Sequence, residues 1–158
     1  VEWKDTLNTV GAIAMKALEM VAKGESKSAY DILTPVRFIL SKLRKRNGVI
    51  TFRDYVEAAN IAFRELFIFR HDPPNFNDAT AVRALRKHVV ETIGAYQNCL
   101  DKAPPKAAKD EQFKRLINDS LYYLERIELA IGKKSKTDVI NILRRVVSSN
   151  NLLWLRFG

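Results

Sequence analysis

Apolar residues recur at alternating four- and three-residue steps along most of this chain, and each such run is closed by glycine or proline. That periodicity marks helices with one buried stripe, and no stretch of strict two-residue alternation competes with it. Trp3, Leu7, Val10, Ala14, Ala17 and Val21 set out a seam of the kind that helix bundles bury. Gly24 follows where a left-handed cap belongs. ESKSAYDIL, residues 25–33, reads as a short helical turn, with Thr34 as the cap and Pro35 as the first position of a new helix. That helix carries Val36, Ile39, Leu40 and Leu43 on its inner face and closes at Asn47-Gly48.

The later punctuation is as sharp. Thr51 and Asp54 resemble a capping box, with Asp in the usual Glu position, ahead of a face of Phe52, Val56, Ala59, Phe63 and Leu66. Pro73-Pro74 interrupts the chain, and Asp78 caps a helix built on Val82, Leu85, Val89, Ile93, Tyr96 and Leu100. After a second break, APPKAAK from Ala103, a helix is expected from about Asp110 to Ile131, stopped by Gly132. Its inner side is Phe113, Leu116, Ile117, Leu124, Ile127 and Ile131. Ser135 or Thr137 caps the last helix, built on Val139, Ile142, Leu143 and Val146. The expected fold is all-α, a helical bundle of about five major helices plus one short helix. It is read as a single domain over residues 1–151. Residues 152–158, LLWLRFG, form an apolar C-terminal tail that either folds back or acts as an assembly arm through Trp154 and Phe157.

A chain of 158 residues with 47% apolar content is long enough to bury about 70% of its unfolded surface. Its 27 Lys and Arg against 18 Asp and Glu leave a formal charge of +9, which favours an acidic partner. The single cysteine, Cys99, excludes an internal disulfide framework, suits a reducing compartment and reads as a packed thiol. No apolar run is long enough to span a bilayer; the early stretch VGAIAMKALEMVA is broken by Lys16 and Glu19. With no basic leader or cleavage site either, the expected location is intracellular: cytoplasmic, nucleoid-associated or inside a virion.

Catalytic and metal chemistry leave little trace. His71 and His88 are the only histidines, and both are expected to lie outside any ligand cluster, so neither a metal nor a cofactor is expected. Glu-x-x-His pairs, a haem attachment motif and a glycine-rich phosphate loop are absent from the sequence. The segment Arg83-Ala-Leu-Arg-Lys-His88 resembles the loose Arg-x4-His pattern of the helical ribonucleases called HEPN domains. The resemblance implies RNA cleavage by that pair. Residues five apart on a helix lie about 140° from each other, however, so Arg83 and His88 face different sides. No catalytic residue is assigned.

The positive charge is more informative by face than by count. On the second long helix Phe38, Lys42 and Lys45 point outward at steps of four and three, with Arg44 at their margin. Opposite the inner side of the helix from Asp110 lie Arg115, Tyr122, Arg126 and Leu129. Further cations gather at Arg83 and Lys87, at Lys133, Lys134 and Lys136, and at Arg144 and Arg145. Aromatic rings among cations can stack bases while pairing phosphates, and can equally meet another subunit. Ile61 and Ile68 give the middle helix a second apolar side, suited to a central helix or an oligomer contact. The leading expectation is a non-catalytic structural protein that coats or scaffolds DNA or RNA without sequence specificity and self-associates, as nucleocapsid or packaging subunits do. The alternatives are a helical adaptor for an acidic partner or membrane surface, and a HEPN-like ribonuclease.

Overall fold

The structure, a computed structural model, describes residues 2–158, which contain helices, turns and loops and no strand. The all-α expectation holds. The chain forms two compact units, Val1–Ile50 and Thr51–Gly158.

The first unit is a helical hairpin of α1 (Glu2–Ala22) and α2 (Ser26–Arg46). Gly24 takes φ +80° and the Glu25 N–H donates to the Met20 carbonyl at 2.9 Å, the left-handed stop expected there. Gly48, at φ +73°, ends α2 in the same way, with Val49 N–H on the Arg44 carbonyl at 2.9 Å. One boundary differs. α2 begins at Ser26 and runs through Pro35 instead of starting there. A proline ring denies one carbonyl its partner a turn earlier. The Thr34 hydroxyl bonds the Tyr30 carbonyl at 3.0 Å in that turn. Ala29 before the proline and Leu43 after it are both buried, so packing at the two ends holds the helix in one piece.

The interior of this hairpin is thin. Among its described residues Ala17, Ala29 and Leu43, with Ser41, are buried, and Val10, Ile13, Ala14 and Met20 are half-buried. The seam expected along α1 is therefore divided: Ala17 faces inward, while Trp3, Leu7 and Val21 are exposed.

The second unit contains α3 (Phe52–Phe67), a 3₁₀ turn (Ile68–Arg70), α4 (Ala79–Asp101), α5 (Pro105–Ala108), α6 (Glu111–Glu125), α7 (Ile127–Gly132) and α8 (Lys136–Phe157). Local chemistry fixes the starts. The Thr51 N–H and hydroxyl both bond Asp54 Oδ2, at 2.8 and 2.9 Å. Asp78 accepts from the N–H groups of Thr80 and Ala81, Asp110 from Gln112 and Phe113, and the Ser135 hydroxyl from Asp138. The single helix expected over 110–131 is interrupted at Arg126, whose N–H reaches back only three residues to the Tyr123 carbonyl at 3.1 Å. Tightening the turn there keeps Ile127, Ala130 and Ile131 buried as Leu124 is.

α3, α4, α6, α7 and α8 share one core, in which Phe63, Leu85, Tyr96, Phe113, Ile117, Leu143 and Leu153 are shielded from solvent. On α4 the inward position is Cys99, fully buried, while Leu100 is exposed. Burial pushes the Cys99 thiol up to about 12, so it stays protonated and unreactive at neutral pH. A polar chain crosses this core: the Tyr96 hydroxyl donates to Asn150 Oδ1 at 2.7 Å, and Asn150 Nδ2 donates to Asn60 Oδ1 at 2.9 Å. It ties α4, α8 and α3 in one register, because any slip strands a buried polar atom.

The expected tail is helix. Residues 152–157 are the end of α8, with Leu153 buried and the Phe157 ring meeting Phe113 edge-on at 5.2 Å. Trp154 Nε1 donates to Glu57 Oε2 at 2.7 Å. Of the two outcomes expected for this segment, folding back is the one observed, with Trp154 and Phe157 used inside this unit; Leu152 and Leu155 are the exposed apolar residues of that turn.

Candidate nucleic-acid interface

The Asp110 cap sets the register of α6. Phe113, Leu116, Ile117 and Leu124 turn inward, and this leaves Arg115 and Tyr122 exposed on the outer side. After the interruption, α7 ends in a reversal: Lys134 takes a left-handed φ of 52° and the Ser135 N–H returns to the Ala130 carbonyl at 2.9 Å. The reversal returns the chain as α8 beside α6. α8 commits Val139, Leu143 and Val146 to the core. Asp138, Asn141, Ile142 and Arg145, at steps of three, one and three, then line the side toward α6.

Between these elements lies a groove of about 450 Å³ lined by Tyr122, Tyr123, Arg126, Leu129, Lys133, Asp138, Asn141 and Arg145, among others. Its floor is two tyrosine–arginine pairs. The Arg126 guanidinium sits 5.2 Å from the Tyr122 ring centre and donates to the Tyr122 hydroxyl at 2.9 Å. The Arg145 guanidinium sits 5.5 Å from the Tyr123 ring and donates to its hydroxyl at 3.4 Å. The two rings meet edge-on at 5.3 Å. Each arginine is thereby held over a ring while most of its five donors stay free to take an anion. Tyr122 is 54% exposed, so one ring offers a face to a flat ligand.

Of the cations and aromatics expected to bind, the structure brings together Tyr122, Arg126, Lys133 and Arg145. Tyr123 and Asn141 were missed, although the steps from 138 to 145 on α8 mark one helix face. Others stand apart. Arg115 is exposed on the same face of α6, two turns before Tyr122, and Lys136 and Arg144 are exposed on α8. Lys134 Nζ is drawn to Asn77 Oδ1 at 2.8 Å. Arg83 and Lys87 are exposed on α4, where Lys87 approaches Glu91 at 3.8 Å. Phe38, Lys42 and Lys45 are exposed on α2 in the first unit, with Arg44 half-buried. Ile61 and Ile68 are exposed on the second unit and take no part in its core.

The expectation for His88 needs correcting. Its Nδ1 lies 3.6 Å from Glu91 Oε2 and 3.9 Å from Glu65 Oε2, so a histidine and two carboxylates do converge. The sequence carried half of that signal, Glu91 being three residues after His88; Glu65 enters only through the packing of α3 on α4.

No helix among the described residues is long and apolar enough to cross a membrane. Fold and groove together define an all-helical protein with a cationic, tyrosine-floored cleft. No family model, no curated protein and no solved structure matches the chain.

Proposed function

We propose that this protein is a non-catalytic nucleic-acid-binding structural protein that holds an unpaired strand along the groove of α6, α7 and α8. The observation that carries this reading is the convergence of Tyr122, Tyr123, Arg126, Lys133 and Arg145 on one cleft. Tyrosine faces accept bases of any identity, and the arginines and lysine accept phosphates, so the groove fits coating better than sequence reading. A duplex keeps its bases stacked inside and would use the cations alone. Self-association is the second half of the proposal. It is supported by the apolar side chains exposed on α1 and α2, among them Met15, Leu18 and Leu33. The ribonuclease alternative would pair His88 with Arg83, whereas the groups paired with His88 Nδ1 are the carboxylates of Glu65 and Glu91.

Fluorescence anisotropy with single- and double-stranded DNA and RNA, from about 50 to about 200 mM salt, tests the proposal. Single strands should bind more tightly than duplexes, with affinity falling as salt rises. Tyr122→Ala should weaken single-strand binding roughly tenfold, consistent with one lost stacking partner. Absence of binding to any strand at about 50 mM salt overturns the reading.

A further inference from the structure

We propose that Glu65, His88 and Glu91 form a binding site for a divalent transition-metal ion, with Zn²⁺ the ion best suited to the donor set. The site spans two helices whose register is fixed beside it. The buried Thr92 hydroxyl lies 2.7 Å from the His88 carbonyl on its own helix and 3.2 Å from the Ala62 carbonyl on α3. Ala62 and Glu65 are three residues apart on α3, as His88 and Glu91 are on α4, so this one fastening sets the distance between the two halves of the site. The His88 ring is half-buried and lies 5.7 Å from the Phe69 ring, which narrows its choice of rotamer.

The spacing of the donors distinguishes an ion from a direct bond. At 3.6 and 3.9 Å, Nδ1 stands beyond hydrogen-bond range of either carboxylate oxygen. Bonds of roughly 2.0–2.2 Å to a tetrahedral zinc put ligand atoms roughly 3.3–3.6 Å apart. The three donor atoms here all lie within 4.8 Å of one another, so rotation of the exposed Glu65 and Glu91 side chains brings them around one ion. Lys87 approaches the other oxygen of Glu91, Oε1, and leaves Oε2 for the ion. An imidazole with only two carboxylates is a poor match for Ca²⁺, which takes six to eight oxygens, and for Mg²⁺, which prefers oxygen and water. Three protein donors on an accessible surface leave a fourth position for water.

The test is calorimetric titration of the whole chain with a zinc salt in a non-chelating buffer, with Co²⁺ as a spectroscopic probe. The expected result is one ion per chain, a raised unfolding temperature, and visible cobalt absorption of a tetrahedral site. His88→Ala should abolish these signals. Glu65→Gln and Glu91→Gln, on different helices, should each weaken binding by more than the ~10–100-fold that loss of an outer-shell partner costs. His71→Ala should change nothing. Far-ultraviolet circular dichroism confirms that each variant folds. No zinc binding, binding that survives His88→Ala in a folded protein, or equal competition by Mg²⁺ would each overturn the site.

Discussion

The two units of this molecule use apolar residues in opposite ways. Residues 51–158 gather theirs around α8, which packs against α3, α6 and α7, and fully bury side chains as large as Tyr96, Phe63 and Phe113. Residues up to Ile50 form a hairpin, and two helices alone share only one seam. Among its described residues the buried apolar ones are Ala17, Ala29 and Leu43. Ten of the eighteen exposed large apolar side chains among the described residues fall in this shorter unit, so its apolar surface is spread outward. Similar helical periodicity thus gives a self-sufficient core in one region and an unsatisfied surface in the other. What separates them is the number of neighbours each helix finds within its own unit, a quantity absent from any single helix's pattern.

The largest expected effect lies in the well-filled unit. Phe63→Ala should cost about 3–5 kcal/mol, whereas Leu18→Ala in the hairpin should stay within about 0.5 kcal/mol. The two tryptophans allow each unit to be followed separately in denaturant: Trp3→Phe leaves Trp154 to report the second, and Trp154→Phe leaves Trp3 to report the first. Equal costs for the two alanine variants would break the comparison.

Next in size is the polar chain. Asn150→Ala removes a partner from the Tyr96 hydroxyl and from Asn60, and should cost about 1–3 kcal/mol, again read from the Trp154 transition. A charged substitution in the hairpin should act on assembly instead: Leu18→Glu with Leu33→Glu should lower the sedimentation coefficient and leave the Trp154 transition in place. If the sedimentation coefficient is unchanged, the exposed apolar surface does not serve self-association.

The smallest effect concerns Arg86 and Glu128, which join α4 to α7 through a bidentate pair. The hydrogen bond from Arg86, and then its charge, hold the Glu128 carboxyl below the usual carboxylate range. A depressed folded-state value means stability that is present above the unfolded pKa and lost as pH falls through the folded one. Both side chains are largely exposed, so the contribution is small and screened by salt. Glu128→Gln should slightly lower the neutral-pH melting temperature and flatten its acid dependence; an unchanged acid profile would remove the pair from the account.

Helix stops and starts were the most legible part of the sequence, because caps act within a few residues. Gly24, Gly48, Asp78 and Asp110 all do what their positions implied. Pro35 misled, since a local rule met packing at both ends of α2. The interruption at Arg126 left no glycine or proline to announce it. In the candidate groove, α6 and α8 each displayed a basic face, but their meeting depends on the reversal at Lys134, and Tyr123 was concealed by its place beside the inward row. Trp154 and Phe157 looked like a partner's anchors because their own partners, Glu57 and Phe113, lie far back in the chain.

The central claim is that the groove of α6, α7 and α8 carries the nucleic-acid contact. It is tested most directly by the salt dependence of single-strand binding in the whole chain, compared with Arg126→Ala/Lys133→Ala/Arg145→Ala and with Lys42→Ala/Lys45→Ala in the hairpin. Each phosphate contact on a single strand contributes about 0.7 to the slope of log affinity against log salt. The groove variant should therefore flatten the slope by about 2, and the hairpin variant should leave it nearly unchanged. An unaltered slope in the groove variant, or a larger loss in the hairpin variant, would contradict the account.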